Sequence, residues 1–103
     1  MTAPDLVVTR AVVVDMVRLA AEEVPGVLRV GHGGPGWRGL FRPAPVSVRM
    51  DGAAATVRIT IVARPGHPLP ATCAGVRAAV ASACERLLGL DPASVSVLVD
   101  GVG

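Results

Sequence analysis

Val46-Ser47-Val48-Arg49-Met50-Asp51-Gly52-Ala53-Ala54-Ala55-Thr56-Val57-Arg58-Ile59-Thr60-Ile61 is the stretch that decides the fold. Apolar Val46, Val48 and Met50 alternate with Ser47 and Arg49, Asp51-Gly52 supplies turn chemistry, and Val57, Ile59 and Ile61 alternate with Arg58 and Thr60. Successive side chains of a strand point to opposite faces, so the pattern predicts an antiparallel hairpin with one buried face. Such a sheet needs an apolar layer against that face, and the flanking segments have to supply it.

Upstream, Val27 to Val30 reads as a further strand. It runs into Gly31-His32-Gly33-Gly34-Pro35-Gly36-Trp37-Arg38-Gly39, which no regular element tolerates, so residues 31–45 are expected to be one flexible Gly-rich loop. Before it, Val13, Met16, Val17, Ala20 and Val24 recur at spacings of three and four and make the apolar stripe of a helix from Arg10 to Val24. Thr9 is placed to cap that helix and Pro25-Gly26 to end it, with Leu6 to Val8 as a short strand ahead. Asp15, Arg18 and Glu22 form its solvated side, paired across successive turns.

Downstream, Pro65 to Pro70 reads as an extended connector, and Ala71 to Leu88 as a helix with Cys73, Val76, Val80, Ala83 and Leu87 inward. Gly89-Leu90 closes it as a left-handed cap with an apolar contact. Val95, Val97 and Val99 make the last strand, with Ser94, Ser96 and Leu98 on its opposite face. The order β-α-β-β-β-α-β predicts the α+β class: a two-layer sandwich with two helices packed on one face of a mixed sheet, residues 1–103 forming a single domain.

Composition agrees with one such domain, since 103 residues at 51% hydrophobic content suffice for one core. The 10 basic residues are all Arg, scattered along the chain, and the net charge is only +2, which argues against a DNA-binding or membrane-binding stripe. No basic start followed by an apolar run marks a leader, and no apolar run is long enough to span a bilayer. Cys73 and Cys84 fall in one helix, where about 1.5 Å of rise per residue separates them by roughly 16 Å, too far for a disulfide. Both are read as reduced thiols of a cytoplasmic protein.

At this point the residues resemble a known family, the alkaline-shock or general-stress (Gls-type) envelope stress response proteins of Gram-positive bacteria and their relatives. The resemblance is carried by Leu19-Ala20-Ala21-Glu22-Glu23-Val24-Pro25-Gly26-Val27 and by Gly66-His67-Pro68-Leu69-Pro70. Leu88-Gly89-Leu90, followed by Val95-Ser96-Val97-Leu98-Val99-Asp100-Gly101-Val102, completes it. The chain departs from the family pattern in lacking a Lys- and Glu-rich second helix, in its more Gly-rich central loop and in Pro65, where an aromatic residue is common. What the resemblance implies is a cytoplasmic protein without catalytic residues, prone to self-association, and recruited to the inner membrane surface by a separate anchor protein. Its role would be in cell-envelope homeostasis or stress.

The inventory for other chemistries is thin. His32 and His67 lie in separate loops, no Ser sits in a nucleophile elbow, and Glu22 and Glu23 diverge by about 100° on a helix. An enzyme reading would need a pocket that brings His32 or His67 against a carboxylate. Two His and two helix Cys give no metal-ligand spacing, and no metal or cofactor is expected. The glycine loop lacks a Gly-Lys-Ser/Thr end, and Pro43 and Pro45 stop a helix from following it, so it is not a phosphate cradle of the nucleotide-binding kind. Gly31-His32-Gly33-Gly34 fits the loose Gly-x-x-Gly of a KH-type RNA clamp, with Arg29, Arg38 and Arg42 near, which makes an RNA-binding module the alternative.

Two surfaces are expected to matter. Trp37, Arg38, Phe41 and Arg42 gather the only aromatics beside two guanidinium groups, residue types that anchor interfaces, and form a candidate docking surface for a membrane-anchored partner. The competing reading has Trp37 and Phe41 folding back over an open edge of the core. Ala74, Ala78 and Ala81 give the second helix a small-residue outer face, either a self-association surface or simple helix-former filling.

Overall fold

The computed structural model describes residues 9–36 and 41–103. These form α1 (Arg10–Glu22), β1 (Val27–Val30), β2 (Val46–Asp51), β3 (Ala54–Ala63), α2 (Leu69–Leu88) and β4 (Asp91–Val102). The strand expected at Leu6 to Val8 lies outside the described residues.

Every other strand pairs with β3. β2 runs antiparallel to it from Val46↔Ile59 to Asp51↔Ala54, the hairpin that the alternation predicts. β4 runs parallel to it along its whole length, from Ala54↔Asp91 to Ala63↔Val102, so the sheet is mixed. β1 is antiparallel to it, with Arg29↔Val62 and Val30↔Ile61. A strand has only two edges and β4 occupies one of them end to end, so β1 and β2 lie in line along the other.

Between them the register leaves a single place, the one opposite Thr60, because Val30 pairs with Ile61 and Val46 with Ile59. Two residues share it: the Gly31 N–H donates to the Thr60 carbonyl at 3.0 Å, and the Thr60 N–H donates to the Pro45 carbonyl at 2.7 Å. The chain thus leaves the edge at Gly31 and returns to it at Pro45 where one residue would fit, and its described residues 31–36 and 41–45 make an oversized bulge on the side that Thr60 faces.

On the opposite side Ala55, Val57, Ile59 and Ile61 are buried under both helices. α1 lies over β1 and β2, α2 lies over β4, and the helices touch each other. Val13, Val17 and Ala21 come down from α1, and Val76, Val80, Ala83 and Cys84 from α2. This is the expected two-layer sandwich. Among the described residues the core is Val, Ile and Ala with Cys84 and Leu90, and none of them carries an aromatic ring. Each buried aliphatic side chain of this size contributes about 1.5–3 kcal/mol, so many small residues here stand in for a few large ones.

The helix ends follow local chemistry. The Thr9 hydroxyl accepts from the Val12 N–H at 3.4 Å, as the sequence predicts. α1 stops at Glu22, just short of the expected Val24. α2 starts at Leu69 and not Ala71, because Pro70 falls in the first turn, where its missing N–H has no partner to lose. Gly89 ends it in the left-handed conformation at φ 64°, and the Leu90 N–H returns to the Cys84 carbonyl at 2.8 Å.

The inward stripe of α2 is Thr72, Val76, Val80, Ala83 and Cys84, while Cys73 is only half-buried. Leu87, expected inside, is 64% exposed, since the last turn runs past the cover that buries Val80 and Ala83. β4 is longer than the expected Val95 to Val99 because it follows the whole length of β3.

Candidate functional site

The helix-free face of the sheet carries polar residues in register. Ser47 and Ser96 lie directly across from Arg58, one on each side, and Arg49 and Ser94 flank Thr56 in the next row. Over the neighbouring Thr60–Leu98 row the bulge folds back, which leaves Thr60 only 9% exposed although no helix covers it. Between sheet and bulge lies a cavity of about 570 Å³. Ser47, Arg58, Thr60, Ser96 and Leu98 make its floor, and His32, Arg42 and Pro43 to Pro45 make its roof.

A clasp at the end of β4 holds the roof down. One carboxylate oxygen of Asp100, Oδ2, accepts the Gly33 N–H at 2.9 Å and the Arg42 guanidinium. His32 joins them, with Nδ1 3.5 Å from the same oxygen and 3.5 Å from Arg42 Nη1. Its other nitrogen, Nε2, is 2.6 Å from the Pro43 carbonyl; a carbonyl only accepts, so Nε2 carries the proton. Arg29 adds a stitch by donating to the His32 carbonyl at 2.8 Å. The Gly33 N–H does most to hold the Asp100 carboxyl below its usual pKa; partial burial opposes it, and Arg42 and then His32 lower it further.

The sequence places no histidine against a carboxylate, and here the structure corrects it: His32 meets Asp100 under the roof of a cavity. The arrangement fastens a loop. Nε2 of His32 is committed to a backbone carbonyl, and Gly33 and Arg42 both donate to Asp100, so these groups spend hydrogen bonds within the bulge. His67 sits exposed in the β3–α2 connector, and Glu22 and Glu23 are exposed at the end of α1. Cys84 is buried, and burial first, then Glu85, pushes its thiol pKa up, which makes it a poor nucleophile. Among the described residues no three His, Cys, Asp or Glu side chains gather as a metal-binding set.

The expected docking residues divide. Phe41 is 83% exposed and does not fold onto the core, whereas Arg42 turns inward to Asp100. Trp37 and Arg38 lie outside the described residues. On α2, Ala74 and Ala78 face solvent and Ala81 is half-buried. The Gly-x-x-Gly stretch joins two strands along one sheet edge, where the RNA clamp it resembles has its loop between helices. Sequence reasoning missed Asp100 as a partner of Arg42, for the two are 58 residues apart.

The fold is found in solved structures. A MamM CTD carrying one substitution matches at TM-score 0.63 and 23% identity, covering 90% of this chain and 98% of that one. A manganese form of a substituted MamM CTD matches at 0.62 and 24%, covering 90% and 99%. A copper form matches at 0.61 and 23%, covering 89% and 85%. No match is found among curated proteins. The family model for the alkaline-shock-protein-23 family, cell envelope-related function, matches residues 2–103.

Proposed function

The chain belongs to the alkaline-shock-protein-23 family, whose described function is cell envelope-related, and on that premise we propose that it is a non-catalytic envelope-homeostasis and stress protein working by self-association and by holding a partner. The observation that carries this reading is the outer edge of β4. This strand is 12 residues long and is paired on one side only among the described residues. Its helix-facing Val95, Val97 and Val99 are half-buried, unlike their buried counterparts Val57, Ile59 and Ile61 in β3. A long edge with unmade backbone bonds and a half-covered apolar row is a template for another strand. α2 packs over β4, so its exposed Ala74 and Ala78, with half-buried Ala81, extend the same flank with a surface that lets another backbone approach closely.

Exposed Phe41 supports a second surface, with Trp37 and Arg38, for a membrane-anchored partner, while Arg42, expected beside them, is engaged by Asp100. In this reading the protein is cytoplasmic and reaches the inner membrane surface through that partner. No described helix is long and apolar enough to cross a membrane itself. RNA binding is the weaker reading, because Arg29 and Arg42 are engaged within the bulge by the His32 carbonyl and by Asp100.

Light scattering over a wide concentration range tests self-association. The wild type is expected to gain mass with concentration and Ala78→Arg to gain less; a wild type that stays monomeric throughout defeats the reading. For the partner, cross-linked pull-down from cells with Phe41→Ala should lose the captured anchor while leaving the melting temperature unchanged.

A further inference from the structure

We propose that the cavity under the bulge binds an organic phosphate, a phosphate ester group joined to an apolar group, with Arg58 as its counter-ion. The charge inventory comes first. Arg42 is matched by Asp100 across the roof, whereas Arg58 on the floor makes no ion pair among the described residues. Asp100, the carboxylate among the described lining residues, is already taken up by Arg42 and the Gly33 N–H, so the Arg58 guanidinium offers its donors to the cavity without an anion of its own.

The donors around it suit phosphate. Ser47 and Ser96 are the direct cross-strand neighbours of Arg58 and line the same cavity, so the guanidinium fork has a hydroxyl on each side. A planar carboxylate offers two oxygens to such a set, and a phosphate monoester offers three terminal ones.

A separate observation points to the apolar half. Leu98 is 58% exposed on the floor, two residues along β4 from Ser96, an apolar side chain that the described residues leave largely uncovered. A ligand whose phosphate rests on Arg58 would lay its apolar group over Leu98 and against Pro43 and Pro45. The volume, about 570 Å³, lies in the range of small-molecule sites, roughly 300–1,000 Å³.

Calorimetric titration with phenyl phosphate tests the proposal, run beside inorganic phosphate and beside vesicles of phosphatidylcholine with or without phosphatidic acid. Arg58 and Leu98 are exposed, so Arg58→Gln and Leu98→Ser should keep the wild-type melting temperature. A charge-assisted contact of this kind predicts a loss of about tenfold or more in affinity for Arg58→Gln, and a smaller loss is expected for Leu98→Ser. Binding of phenyl phosphate that depends on Arg58 supports a soluble ester, and Arg58-dependent capture by phosphatidic acid vesicles supports a lipid headgroup. Absence of both, equal affinity in Arg58→Gln, or inorganic phosphate binding as tightly as phenyl phosphate overturns the proposal. None of these outcomes depends on self-association, which the light-scattering series reads separately.

Discussion

Gly33 lacks a side chain at a position where the Asp100 carbonyl oxygen occupies the room that one would need. Its N–H also holds the Asp100 carboxylate, so backbone and side chain of one β4 residue grip the bulge at one glycine. Gly33→Ala forces a methyl group against that carbonyl, and overpacking of this kind costs about 1–3 kcal/mol; the expected result is a melting temperature lowered by several degrees. Asp100 adds a pH dependence. Its pKa is lowered in the folded chain, so the stability it contributes is fully present above the ordinary carboxylate pKa of about 3.9 and fades as pH falls through the lower folded value. Denaturant titrations at a series of acid pH values should therefore show wild type above Asp100→Asn near neutrality and the two curves converging in strong acid. Curves that stay parallel would remove the carboxylate from the clasp.

Elements show where sequence and structure part. The alternation of Val46, Val48, Val57, Ile59 and Ile61 was enough to give the hairpin and its buried face, because period two has a direct physical meaning on a pleated strand. It carried no information about which edge of β3 receives β1, since that depends on β4 claiming the other edge from the far side of α2. The clasp was illegible for a related reason: Arg42 and Asp100 look like ordinary surface charges until a parallel strand brings the chain end beneath the loop. Prolines misled in a simpler way, Pro70 reading as a breaker where it serves as a starter. The shared edge yields a prediction. Replacing residues 31–45 by one Thr should join β1 to β2 as a continuous strand with the register against β3 unchanged. Closure cost grows slowly with loop length, so the excised protein should melt within a few degrees of the wild type while losing the cavity. A collapse in stability would mean that the bulge is part of the core.

At the scale of the whole molecule, two helices on one face of a mixed sheet leave a flank and a face to the outside. The clasped bulge roofs part of that face, and the flank ends in β4, whose outer side has no partner strand among the described residues. A domain of this size should unfold in one cooperative transition. If copies join at the flank, mass action stabilises the folded state, and the melting temperature should rise with protein concentration in the wild type and rise less in Ala78→Arg. A midpoint independent of concentration over two decades would argue for a monomer.

That none of the described core residues is aromatic has an optical consequence. The chain's one indole, Trp37, belongs by sequence to the segment between β1 and β2, and no described residue carries another. Intrinsic fluorescence in this protein is a dedicated reporter of the loop, and far-ultraviolet dichroism a reporter of the framework. Any ligand that shifts the first while leaving the second untouched has been detected at that segment.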